Sequence, residues 1–91
     1  MESGLLKLNA RGFKSLKKIY VIVDSEQDTN GNIRPQKIHW KDGRVWNITR
    51  VLLMFKTNVN NQPVLQYNVL IHGQQKQLYK EKDKWFVIPK D

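Results

Sequence analysis

The chain has 91 residues, no cysteine, and 16 basic against 8 acidic residues, which gives a net charge of +8. A chain of this length forms one small domain rather than two independent cores, and without cysteine it has neither disulfides nor thiolate metal ligands. Its longest apolar run, residues 51–55, is far shorter than the roughly 20 residues of a transmembrane helix. We therefore expect a soluble, cytoplasmic protein that makes no membrane contact.

Residues 1–18 are predicted to form a basic N-terminal extension. Its cations follow a spacing of four, three and four residues, which is typical of one face of a helix. They are Lys7, Arg11, Lys14 and Lys18. Asn9 and Gly12 disfavour a helix, since a glycine inside a helix costs about 1 kcal/mol relative to alanine. The sequence leaves a helix, a strand and a poorly ordered arm open for this segment.

The remainder, residues 19–91, is predicted to be one β-barrel domain, because short β-rich segments alternate with turn residues every 8 to 12 positions or so. The predicted strands are approximately 19–25, 33–40, 44–57, 64–71, 76–80 and 84–88. The third changes from alternating to wholly apolar at 51–55, which predicts a strand that bends where the barrel closes, with its second half covered on both faces. We expect an all-β, strongly bent, five- to six-stranded SH3-like barrel.

The Asp42-Gly43 turn allows two registers for the hairpin around "KIHWKDGRVWNI". A two-residue type I′ turn would pair Trp40 with Val45 and mix apolar and polar side chains on each face. A three-residue loop with Gly43 in a left-handed bulge position pairs Ile38 with Trp46 instead. A slip of one residue moves every side chain to the opposite face, so the hydrophobic pattern favours the three-residue loop.

In that register one face of the hairpin is apolar, and both tryptophans face the core, with Trp40 near the turn half exposed. The apolar face carries Ile38, Trp40, Trp46 and Ile48, and the other carries Lys37, His39, Val45, Asn47 and Thr49. Most of the aromatic density of this stretch therefore builds the fold. Its basic side, with Trp40 at the rim, is the candidate binding site.

Catalytic motifs are absent from the sequence, and His39 and His72 are its only histidines. No nucleophile elbow, zinc-protease helix, phosphate loop or dinucleotide fingerprint occurs. Asp24, Glu26 and Asp28 alternate at one strand end, where a hard cation could bind, but such acidic clusters are more often a solvated edge. We expect no enzyme activity, no metal, no cofactor and no small-molecule substrate.

Nucleic acid is the first predicted partner, because small barrels recognise polyanions with basic strands and exposed aromatic side chains. The candidate nucleic-acid-binding residues are Lys37, His39, Trp40, Lys41, Arg44 and Arg50, with Tyr79 as a second stacking platform. The alternative is a protein-interaction module or a homodimer without nucleic-acid contact, since the long apolar third strand gives room for a docking surface.

The stretch "IHWKDGRVWNITRVL", followed by "YNVLIHG", "QLYKE" and "KWFVI", resembles a group of small uncharacterised bacterial proteins. The resemblance covers residues 19–88. The shared positions are Trp40, Gly43, Arg44, Trp46, Tyr67, Gly73, Leu78, Tyr79, Trp85 and Phe86. It implies an SH3-like barrel and, since some members are encoded near DNA-damage-tolerance polymerases, a non-enzymatic accessory role. The group supplies no catalytic residue that can be transferred to this chain.

Overall fold

The computed structural model describes residues 7–8 and 14–89, and within them every regular element is a β-strand. The strands are β1 (Lys7–Leu8), β2 (Lys14–Ser15), β3 (Ile19–Gln27), β4 (Ile33–His39), β5 (Val45–Asn47), β6 (Arg50–Val59), β7 (Gln62–Ile71), β8 (Gln74–Glu81) and β9 (Lys84–Val87). β1 and β2 form a two-stranded ribbon, and the other seven form one sheet in the order β5-β4-β3-β9-β8-β7-β6. The prediction of an all-β domain is confirmed.

The sheet curls because its two terminal strands are neighbours in the chain. β5 pairs with β4 at one end of the sheet, and β6 pairs with β7 at the other. Only Ile48 and Thr49 separate them. The Ile48 amide donates to the Gln36 carbonyl at 2.9 Å, and the Thr49 amide donates to the Leu70 carbonyl at 2.8 Å. The partner changes within two residues, so the segment bends and the sheet becomes an antiparallel half-barrel.

This bend also corrects the predicted number of strands. The sequence predicts one strand over residues 44–57, whereas the structure divides that segment into β5 and β6. The sheet therefore has seven strands instead of five or six. No glycine or proline marks the bend in this strand-forming sequence. The division into β5 and β6 follows from the change of hydrogen-bond partner at Ile48 and Thr49.

The main core lies inside the curl. Its buried residues are Ile38, Tyr67, Val69, Ile71, Leu78 and Trp85. The Tyr67 hydroxyl donates to the Ile33 carbonyl at 3.1 Å, which joins β7 to β4, two strands that are not neighbours in the sheet. A buried tyrosine hydroxyl needs an acceptor, so this bond also helps to hold the curl closed.

A second, smaller cluster covers the outer face of the sheet, around Phe86, which is fully buried. Tyr79 stacks on Phe86 with ring centroids 5.1 Å apart, and the Lys18 ammonium lies 4.9 Å from the Phe86 ring centroid. Lys18 also pairs with Glu81 at 3.1 Å. That contact lowers the pKa of Glu81, because the ammonium donates a hydrogen bond to the carboxylate. The residues before β3 are thereby fixed to the outer face.

Four of the described residues of the N-terminal extension are in strands. Leu8 lies opposite Lys14, and Lys7 lies opposite Ser15 in an antiparallel pair, so the helical alternative is wrong at these four residues. The rest of that prediction, including Arg11, lies outside the described residues. Further along, the Leu16 amide and carbonyl both bond to the side chain of Asn60, at 2.8 and 2.9 Å.

The second half of the bent segment is exposed, which contradicts the prediction that it is covered on both faces. Leu52, Leu53, Met54 and Phe55 are 43 %, 54 %, 42 % and 37 % exposed. β6 is a terminal strand, and its only neighbour in the sheet is β7. An unbroken apolar run predicts burial on both faces, but the described part of this chain supplies no second neighbour for it.

Candidate functional site

The hairpin between β4 and β5 has the predicted three-residue loop. Ile38 lies opposite Trp46. The Trp40 amide donates to the Arg44 carbonyl at 2.9 Å, and the Gly43 amide donates to the Trp40 carbonyl at 3.0 Å. Gly43 has a φ of +94°, a conformation that side-chain-bearing residues rarely adopt. The register read from the hydrophobic pattern is confirmed.

This register brings Trp40 and Trp46 together on the inner side of the hairpin. Their ring centroids are 4.8 Å apart with planes at 63°, an edge-to-face arrangement that aromatic pairs favour. The Arg44 guanidinium carbon lies 5.9 Å from the centroid of each ring. An arginine at this distance is attracted by the negative face of an indole, so Arg44 covers the tryptophan pair at the turn end.

Asp42 holds Arg44 in that position. Its carboxylate accepts from the Arg44 backbone amide at 3.0 Å and from the Arg44 Nε at 2.7 Å. The pKa of Asp42 is lowered, chiefly because the Arg44 backbone amide donates to its carboxylate. The carboxylate fixes the direction of the guanidinium but also offsets part of its positive charge. Both side chains are largely exposed, so this ion pair contributes little to the stability of the fold.

A cavity of about 330 Å³ opens beside the tryptophan pair. Six of its lining residues are Ile38, Trp40, Trp46, Ile71, Lys76 and Leu78. The Lys76 ammonium lies 6.0 Å from the Trp46 ring centroid, and β8 supplies it from a different part of the sheet than Arg44. Pockets that take small ligands are mostly apolar, have a few placed polar groups, and measure roughly 300–1,000 Å³. This cavity, called the tryptophan pocket below, meets each of these conditions.

The Trp40 indole contributes one polar group without a partner. Its Nε1 is buried and has no hydrogen-bond acceptor within the described part of the chain. A buried indole N–H usually has an acceptor, so this donor is an unsatisfied polar group among the described residues.

The remaining predicted site residues lie away from this pocket. Alternation along β4 places Lys37 and His39 on the outer face, and the His39 Nε2 is 2.9 Å from a carboxylate oxygen of Asp24. Lys41 is exposed in the turn, and Arg50 is exposed at the first position of β6. The six candidates therefore do not form one surface: Trp40 lines the pocket and Arg44 lies against its tryptophans, whereas Lys37 and His39 face the opposite way.

Sequence reasoning missed Lys76. It lies opposite Val69, a fully buried core residue, and it alternates with Leu78 on the same face of β8. The signal was present in "QKQL", because a lysine two positions before a core leucine in a strand points to the core side. It was overlooked because the basic residues were sought on the hairpin alone.

Comparison with known proteins found no family model, no curated protein and no solved structure that matches the chain. Within the described ranges no helix is long and apolar enough to cross a membrane. The same ranges hold no group of three or more histidine or acidic side chains arranged to bind a metal ion. The resemblance to the small bacterial proteins stays a prediction.

Proposed function

We propose that the protein is a non-catalytic module that binds single-stranded nucleic acid in the tryptophan pocket. The observation that carries the proposal is the placement of two tryptophans beside a cavity of about 330 Å³, with Arg44 from the hairpin turn near both rings and Lys76 from β8 near Trp46. Proteins that bind single strands combine aromatic platforms for bases with cations that follow the phosphates.

In this mode one unstacked base enters the pocket against the Trp46 indole. Stacking of a base on an aromatic side chain is worth about 1–3 kcal/mol. The flanking phosphates contact Arg44 and Lys76, and Lys41 extends the positive track at the turn. The net charge of +8 attracts the strand at longer range.

The SH3-like fold is also part of this proposal. We assign the half-barrel to the SH3-like small barrels, because one bent segment serves both ends of the sheet, although seven strands exceed the usual number. A cytoplasmic accessory role with nucleic acid fits this reading. Fold alone does not determine function, so the pocket carries the proposal.

A salt series with matched variants tests the proposal. A fluorescently labelled single-stranded oligonucleotide is titrated with protein from about 50 to 200 mM salt, and the slope of log affinity against log salt is measured. Loss of one phosphate contact lowers the magnitude of that slope by about 0.7 for a single strand. We expect this change for Lys76→Gln and no change in slope for Lys37→Gln, which removes the same charge from the outer face.

Trp40→Phe provides a second comparison, since it keeps an aromatic ring and removes part of the indole surface that lines the pocket. We expect weaker binding without a change in salt slope. Equal effects of Lys76→Gln and Lys37→Gln would show that net charge alone attracts the strand. Absence of salt-sensitive binding at about 50 mM salt would overturn the proposal.

A further inference from the structure

The edge strand β6 carries the longest run of consecutive exposed large hydrophobic side chains among the described residues. Four of their eight exposed large hydrophobic side chains are consecutive in this strand, at Leu52–Phe55. Among the described residues β6 pairs only with β7, so the backbone N–H and C=O groups along its other side have no strand partner there. Long, apolar edge strands are templates for pairing with another chain, and native proteins usually protect them.

The apolar side chains of β6 lie on both faces of the sheet. A bulge at Leu52 shifts the register. After it, Met54 lies opposite the buried Tyr67, on the inner face, whereas Leu53 and Phe55 lie opposite Asn68 and Gln66, on the outer face. The stretch from Arg50 to Lys56 is seven residues, about 20 Å at about 3.3 Å per residue, and the bulge at Leu52 lies within it. An added strand of six or seven residues would contact apolar side chains on either face.

The charges around this edge are all positive. The β6-β7 hairpin, residues 50–71, contains Arg50 and Lys56 and no acidic residue. Both cations are exposed, and neither takes part in an ion pair between described residues. They stand at the two ends of the apolar block 51–55. A strand with complementary charge therefore carries an apolar centre and acidic residues at both ends.

A second copy of the chain fits this edge poorly. Antiparallel pairing that superimposes the two apolar blocks is centred on Leu53, and it places Arg50 opposite Lys56 of the other copy. Parallel pairing in register places each Arg50 opposite its equivalent. Like charges directly opposite each other destabilise a strand pair, and each copy carries a net charge of +8.

We propose that β6 is a docking edge for an extended segment of a partner protein that has an apolar centre flanked by acidic residues. The segment adds an eighth strand to the sheet. Main-chain hydrogen bonds supply affinity, and the apolar and charged side chains of β6 supply specificity, as in other cases of strand addition. This edge is separate from the tryptophan pocket, so the two proposals stand independently.

Two synthetic peptides test the docking edge. One has the sequence Glu-Val-Thr-Val-Thr-Val-Glu, and the other has lysine in place of both glutamates. Peptide binding is measured by fluorescence anisotropy, and the binding site is located from backbone amide shifts in NMR spectra. We expect the acidic peptide to bind with shifts concentrated at residues 50–59 and the basic peptide to bind at least fivefold more weakly.

Charge reversal gives the decisive comparison. Lys56→Glu should weaken binding of the acidic peptide by about fivefold and strengthen binding of the basic peptide. Lys37→Glu, which makes the same change on β4, should leave both affinities unchanged, as should Lys76→Gln in the pocket. Equal affinity of the two peptides, or shifts away from β6, would overturn the proposal. A dimer would also overturn it. In that case the mass measured by light scattering would rise with protein concentration to that of a dimer, and the variant Leu53→Lys would have the monomer mass, because a second copy would occupy the edge.

Discussion

β5 and β6 are two parts of one almost continuous segment, yet Trp46 of β5 packs against the core whereas most apolar side chains of β6 are exposed. β5 alternates, and its Trp46 packs inside the curl while Val45 and Asn47 face outward. β6 begins with an apolar run, and four of these side chains remain exposed at the edge of the sheet. The two strands differ in what covers their inner side, since β5 closes over the core and β6 extends beyond it.

The comparison shows what a hydrophobic pattern determines. Alternation in β5 specifies which face is inward, because a slip of one residue would expose Trp46 and bury Asn47. A continuous apolar run specifies only that both faces favour burial. The run does not specify which part of the protein packs against these two faces. In this structure Trp46 of β5 packs against the core, whereas most of the apolar run of β6 is exposed.

The largest expected effect comes from shortening one apolar side chain in each strand, Trp46 in β5 and Leu53 in β6. Trp46→Ala should lower the free energy of unfolding by about 2–4 kcal/mol, because it leaves a cavity in the core. Leu53→Thr, a change at an exposed position to a residue that favours strands, should alter it by less than about 0.5 kcal/mol. Urea denaturation of both variants measures the difference. A comparable loss in Leu53→Thr would show that β6 is covered in solution.

The next effect concerns the turn that sets the register of β5. Gly43→Ala should destabilise the fold by more than about 1 kcal/mol, because alanine is strained at a positive φ. A Cβ at this position would meet no atom within 4 Å, so the loss arises from the backbone and not from a clash. Gly43→Asn serves as the control and should lose less, since asparagine tolerates left-handed conformations better. An unchanged denaturation midpoint for Gly43→Ala would show that the three-residue loop does not require glycine at this position.

The smallest effect concerns acid, which should act on the turn before β5 and not on β6. The pKa of Asp42 is below its ordinary value of 3.8 because the Arg44 amide donates to it. A carboxyl with a lower pKa in the folded state than in the unfolded state contributes stability above its unfolded pKa and loses that contribution as the pH falls through the folded pKa. β6 has no acidic residue, so its own side chains contribute no such dependence.

NMR titration from pH 6 to pH 2, approximately the range of carboxyl titration, measures this contrast. The Arg44 amide resonance should move with a midpoint below 3.8, and the movement should disappear in Asp42→Asn. The amides of β6 should show no comparable step before global unfolding. A midpoint at or above the ordinary value would mean that the carboxylate does not hold Arg44.

The hairpin register was predictable because the sequence supplies two independent signals that agree. The pattern of Ile38 and Trp46 on one face requires a three-residue loop, and Gly43 lies where that loop needs a positive φ. Local signals of this kind act over a few residues. They fix pairing between strands that are adjacent in the chain, and the outcome is confirmed in each detail that the structure describes.

The tryptophan pocket was only half predictable, since its second cation comes from β8. Trp40 and Arg44 belong to the hairpin, but Lys76 reaches the Trp46 ring only after the sheet has curled. The same long-range geometry separates Lys37 and His39 from the pocket by placing them on the other face. Basic residues can be counted in a sequence, but a common surface depends on pairings between distant strands.

The bend at Ile48–Thr49 divides the sheet into two meanders, β3-β4-β5 and β6-β7-β8-β9, each built from hairpins with short connections. In the sheet these meanders meet only where β3 pairs with β9, as in the pairing of Ile19 with Val87. That junction joins nearly the two ends of the described chain, so it carries most of the loop-closure entropy. We expect the meanders to form early and their joining to limit the folding rate, within the millisecond-to-second range of small β-proteins.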